Sequence, residues 1–110
     1  MEKFKVYLSG PISGLPIEEV RAAFSRGEEI AVKSVSQYGD GREVEVVNPL
    51  NNGLPDAAPW NDHIVKDTEL LLACEAVLML DGWQFSTGAR IEHYIAHETR
   101  KLVVYEMKGK

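Results

Sequence analysis

The stretch AVLMLDGWQFSTGARIEHYIAH, residues 76–97, carries the pattern from which the fold of this chain follows. Its five opening apolar residues, Ala76 to Leu80, suit a short strand buried on both faces and ending at Asp81. The GWQFS segment is a loop, and a helical pattern runs from Thr87 to about Arg100. LVVYE follows and supplies the next strand. Strand, short loop, helix and strand in succession make a βαβ unit, the building block of parallel sheets.

The same alternation extends toward the N-terminus. FKVYLSG, residues 4–10, is a β-favouring run that stops at GPISGLP, where two prolines and two glycines forbid regular structure. From Ile17 the apolar residues Ile17, Val20, Phe24 and Ala31 recur at helical spacing, which predicts a first helix reaching about Tyr38. Gly27 lies on the same stripe, as suits a helix packed closely on a sheet. EVEVVN, residues 43–48, reads as the second strand. PLNNGLPDAAP is a long irregular loop of the kind that often carries function in small domains. A second helix is expected from Trp60 to about Glu75.

Four strands alternating with helices predict an α/β doubly wound domain: a mostly parallel sheet, helices on both faces, right-handed crossovers and strand order 2-1-3-4. In such sheets ligands bind beyond the carboxyl ends of the strands, where the chain reverses direction. Two loops flank that point, SGPISGLP after the first strand and DGWQFSTG after the third.

At 110 residues and 45% hydrophobic, the chain is expected to form one domain, residues 1–110. Its only cysteine, Cys74, excludes an intramolecular disulfide, sits in an apolar helical context and fits a reducing, cytoplasmic compartment as a buried thiol. Seventeen acidic against 12 basic side chains give a net charge of -5, which argues against a nucleic acid polymer or an anionic membrane as partner. A small-molecule ligand fits better. No secretory start and no run long enough to span a membrane is present in these residues, so a soluble, unprocessed protein is expected.

Glu92 is the anomaly in the third helix. Its neighbours three and four positions away are Gly88, Ala89, Ile95 and Ala96, none of them polar and most of them small. A partly buried Glu bonded to backbone or to a tyrosine would explain it. A catalytic or ligand-binding carboxylate explains it better, because it stands about one turn into a helix at the strand ends. Asp67 has Ile64, Leu70, Leu71 and His63 around it and is balanced between a structural and a functional reading. Asp81 is either an acid at a strand end or an ordinary turn residue before Gly82.

Ser86 and Thr87 precede the third helix as candidate caps, and Gly88 lets a ligand approach its first amides. The loop Ser9, Gly10, Pro11, Ile12, Ser13, Gly14 offers backbone amides and a hydroxyl in the same way. It matches neither a P-loop nor the dinucleotide fingerprint, so ATP or NAD chemistry has no support. His93 and His97 are four apart, but HYIAH lacks the Glu of HExxH, and no metal is expected. Trp60, Trp83 and Phe85, in or beside the site loops, either stack on a flat base or cap the core or an interface.

With Tyr7, Gly10, Asp67, Ser86, Gly88 and Glu92 in place, the chain resembles the nucleoside 2-deoxyribosyltransferase superfamily. It is most similar to a branch of bacterial and phage proteins opening on a YLSGPISG-like stretch. The resemblance spans nearly the whole chain and is most specific in STGARIEHYIAH. It implies a flavodoxin-like or Rossmann-like three-layer sandwich. It also implies that Glu92 is the nucleophile on the anomeric carbon as the N-glycosidic bond breaks, that Tyr7 orients it, and that Asp67 handles the base or its proton; Asp81, from its place at the strand end, is the other candidate for assisting proton transfer.

Ser86 stands where the free-nucleoside transferases carry Asp and where deoxynucleoside monophosphate N-glycosidases carry a phosphate-binding Ser. That favours a nucleotide substrate and water as acceptor. Pro11 replaces another hydroxyl of those hydrolases, and the loop at residues 51–59 is unlike theirs. Trp83, Ser86, Thr87, Gly88 and the loop of residues 9–14 would hold the substrate. No cofactor is implied, and a homodimer or larger homo-oligomer is. The competing reading is a noncatalytic nucleotide-binding or sensing module on the same fold.

Overall fold

A computed structural model describes residues 2–107, so both ends of the expected domain, residues 1 and 108–110, lie outside the described residues. The elements run β1 (Phe4–Ser9), α1 (Ile17–Lys33), β2 (Val44–Val47), α2 (Trp60–Leu72), β3 (Ala76–Met79), α3 (Thr87–Glu98) and β4 (Leu102–Tyr105). The four strands form one sheet, all parallel, in the order β2-β1-β3-β4. The chain is thus an α/β three-layer sandwich of flavodoxin-like form, with β1 and β3 at its centre and the reversal of direction between them.

Side chains alternate across a strand, and β1 uses the alternation to serve two cores. Phe4, Val6 and Leu8 join Leu78 and Leu80 under Val20, Phe24 and Ala31 of α1. Tyr7 points to the opposite face, with Val77 and Met79, under Leu71 of α2 and Ala89 and Ala96 of α3. Every residue of β3 is buried, as an apolar run without alternation requires. α1 approaches closely enough that a Cβ on Gly27 would stand 2.8 Å from Leu80 Cδ2, so any side chain there would force Leu80 to shift.

The helices are shorter than the sequence predicts, each for a local reason. α1 stops at Lys33, and a 3₁₀ turn, Val35–Tyr38, continues it through Ser34 and Ser36, whose hydroxyls favour turns over helix. α2 stops at Leu72 because the Glu75 amide already donates to the Lys5 carbonyl beside the sheet. α3 stops at Glu98 in a Schellman closure: Lys101 N–H bonds to Ala96 O at 2.9 Å and Arg100 N–H to His97 O at 3.2 Å. Arg100 takes the left-handed conformation, φ 61°, that glycine usually supplies.

Cys74 is buried, and its thiol, facing Leu70 O, is pushed up to about 11 by burial. No helix among the described residues is long and apolar enough to cross a membrane.

Candidate active site

An open cleft of about 1190 Å³ lies over the carboxyl ends of β1 and β3. The loop after β1 lies along it through Gly10, Pro11, Ile12 and Ser13, and α3 through Ser86, Thr87, Gly88 and Glu92. Asp67 of α2 and the long loop after β2 complete the lining.

Glu92 is 6% exposed, and its two oxygens are held separately. Tyr7 Oη donates to Oε2 at 2.8 Å, and Ser9 Oγ donates to Oε1 at 2.6 Å. Tyr7 and Ser9 are two apart on β1, so the strand period puts both hydroxyls on the α3 face. Burial pushes the Glu92 carboxyl up to about 7. The two hydroxyl bonds pull it down, and the nearby Asp67 charge pushes it up. The Tyr7 phenol is driven far above its ordinary value by burial and then by Glu92, so it stays a donor at any working pH. The result is a carboxylate restrained at both oxygens in a cleft floor whose neighbouring α3 positions are small.

Asp67 is also 6% exposed, and its Oδ1 accepts a 2.9 Å bond from Asn52 Nδ2. Its carboxyl is raised by burial, against the bond from Asn52 and the proximity of His63. Ser86 caps α3 by accepting from Ala89 N at 3.2 Å, and Arg90 N bonds to Ser86 O. The Thr87 and Gly88 amides remain as the open donors at the positive end of the helix.

Several expected site residues lie elsewhere. Ser9 does not face the ligand space: β1 continues through it, and its hydroxyl is spent on Glu92. Asp81 is exposed outside the cleft lining, and its amide donates to Glu106 Oε1 at 2.8 Å, because Gly82, at φ 86°, turns the chain toward the β4 side. Trp83 follows that turn and stacks on His93 at 4.2 Å, with Tyr105 at 5.9 Å, away from the cleft. Gly14 is exposed and outside the lining, with φ 80°. Trp60 and Phe85 do line the cleft, Phe85 at its mouth with 91% exposure.

Two residues escaped sequence reasoning, Asn52 and His63. Asn52, 7% exposed, bridges Asp67 and His63 from the loop after β2. The signals were an Asn-Asn-Gly turn in a long loop and a histidine one helical turn before Asp67. Among the described residues, Arg21 is the only Lys or Arg lining the cleft, and no group of three His, Cys, Asp or Glu could hold a metal ion.

Fold and site together define a flavodoxin-like α/β protein with a buried carboxylate pair in a cleft at its switch point. The family described as "Domain of unknown function (DUF4406)" matches residues 4–105, and the chain belongs to it. Among solved structures, the 2-desoxiribosyltransferase from Leishmania mexicana is similar, with a TM-score of 0.63 and 18% sequence identity. The match covers 94% of this chain and 63% of that one, and at this identity it shows the fold. No curated protein matches the chain.

Proposed function

We propose that this protein breaks the N-glycosidic bond of a deoxynucleoside or its 5′-monophosphate. The observation that carries the reading is Glu92 itself: a buried carboxylate at the switch point, each oxygen held by one hydroxyl, with small residues around it and a cleft above. The likeness in fold to a 2-desoxiribosyltransferase, and the resemblance carried by YLSGPISG and STGARIEHYIAH, support the same chemistry.

In the first step a Glu92 oxygen bonds to the anomeric carbon as the carbon–nitrogen bond breaks. The bonding pair leaves on the base nitrogen, which takes a proton from Asp67. The developing oxocarbenium charge is stabilised by the nearby carboxylate. In the second step water attacks the glycosyl ester, Asp67 takes the water proton and Glu92 is released. A second base in place of water would make the reaction a transfer.

Ser86 and the open amides of Thr87 and Gly88 favour a 5′-phosphate as the anchored group, which relates the chain to the monophosphate N-glycosidases. Exposed Phe85 at the cleft mouth supports a second copy of the chain closing the site. Wild type and Glu92→Gln incubated with a panel of nucleosides and 5′-monophosphates, with released base measured by chromatography, test the reading. Release by wild type and its loss in Glu92→Gln is the expected result. No release by wild type, or equal release by both, overturns it.

A further inference from the structure

The loop after β2 is fastened to α2 by three hydrogen bonds, and a fourth within the loop fixes their directions. Asn52 Oδ1 accepts from Leu54 N–H at 2.9 Å, which orients the side-chain amide and aims its NH₂ at α2. One of those N–H groups donates to Asp67 Oδ1 at 2.9 Å, and Nδ2 stands 3.0 Å from His63 Nδ1. His63 Nε2 lies 3.2 Å from the Pro55 carbonyl, which can only accept. Nε2 therefore carries the hydrogen, and Nδ1 is the lone pair that receives the second Asn52 N–H.

The consequence falls on Asp67. Its Oδ1 faces an N–H donor and cannot also carry a proton along that direction. Among the described residues no buried side-chain oxygen or nitrogen lacks a partner, and Oδ1 is the oxygen that Asn52 engages. Asp67 lines the cleft, so Oδ2 is the oxygen that opens on it.

We propose that Asn52 is a positioning residue, clamping Oδ1 of Asp67 so that the carboxyl proton is carried on Oδ2, toward the cleft, and passes from there to the departing base. The inference rests on the N-glycosidic reading. It assigns a task to the loop that sets this chain apart from the monophosphate hydrolases: to aim the acid as well as to wall the cleft. His63 and the Pro55 carbonyl support Asn52 in turn.

The test compares two leaving groups. A nucleobase needs a proton to depart, whereas the nitrophenolate of a 4-nitrophenyl 2-deoxyriboside, with or without a 5′-phosphate, leaves as a stable anion. Asn52→Ala is expected to lower base release by about tenfold or more, chiefly in kcat, while nitrophenolate release stays within about twofold. Equal loss on both substrates, or no loss on either, overturns the positioning role and leaves the N-glycosidic reading standing. Absence of release by wild type from every substrate overturns that reading and the inference with it.

Asn52→Asp decides the matter if Asn52→Ala does not fold. It keeps the acceptor for Leu54 N–H but has no N–H to give Asp67 Oδ1, so base release is expected to fall while nitrophenolate release stays within about twofold. Equal loss on both substrates, or no loss on either, in the folded variant overturns the proposal.

Discussion

The hydroxyl of Tyr7 donates a 2.8 Å hydrogen bond to Oε2 of Glu92 across 85 positions of sequence. The bond joins the central strand to the helix after β3 and holds a carboxylate at the point where the sheet changes direction. Because the phenol stays protonated, it restrains Glu92 whether or not the carboxyl is ionised.

The ionisation of Glu92 sets the first prediction. On the proposed mechanism Glu92 must be deprotonated to attack, and burial holds its carboxyl at about 7. The kcat/KM for nitrophenolate release is therefore expected to climb with pH until about 7 and then level. Asp67→Asn removes a charge that raises Glu92, so the same limb should move to lower pH. A limb that stays put would show that the two carboxylates are not coupled.

Stability should follow the same group with the opposite benefit. Glu92 titrates at about 7 in the fold against an ordinary 4.5, so between those values the folded state holds a proton that the unfolded chain has lost. Its contribution is present below 4.5 and disappears as pH rises to about 7, on the order of 3 kcal/mol. In Glu92→Gln this dependence vanishes, and the variant should gain on wild type from pH 5 to pH 8 in urea unfolding. Parallel stability profiles would contradict the burial of an ionising Glu92.

Gly88→Ala separates room for a ligand from room for packing. A Cβ there meets only Ile64 Cδ1, at 3.5 Å, which is ordinary contact. Folding should be unharmed, or improved by up to roughly 1 kcal/mol because alanine is the better helix residue. The methyl would stand in the cleft one turn before Glu92, and base release should fall by about tenfold through misplacement of the sugar. Thermal melting and kinetics on the same preparation check both halves.

Arg100→Gly is expected to stabilise the fold by about 1 kcal/mol, since the left-handed residue after α3 carries a Cβ that glycine lacks. Chemical denaturation measures it, and base release should not change.

The strand order was legible because each strand has its own hydrophobic signature and the crossovers have one allowed hand. Glu92 was legible because a helix brings positions 88, 89, 95 and 96 around it, a local relation. The Tyr7 contact entered through family resemblance. The tie from Asn52 to Asp67 was not readable, since it depends on how an irregular loop folds back on a helix. Asp81 and Trp83 each carried two readings for a similar reason: the backbone at Gly82 decides toward which side of α3 they turn, and it sends both away from the cleft lining. Ser9 stood at the overlap of the first strand and the loop after it, and strand pairing through Ser9 put its hydroxyl beneath the carboxylate.

The central claim is that Glu92 becomes covalently attached to the sugar, and intact-protein mass spectrometry tests it most directly. Wild type mixed with a 2′-fluoro-substituted arabinosyl nucleoside, whose electron-poor sugar slows the second step, is quenched in acid and digested. The predicted result is a mass increase of one fluorinated glycosyl group, located on the peptide containing Glu92 and absent from Glu92→Gln. Release of base with no glycosylated protein, or with the sugar on another residue, would contradict the account.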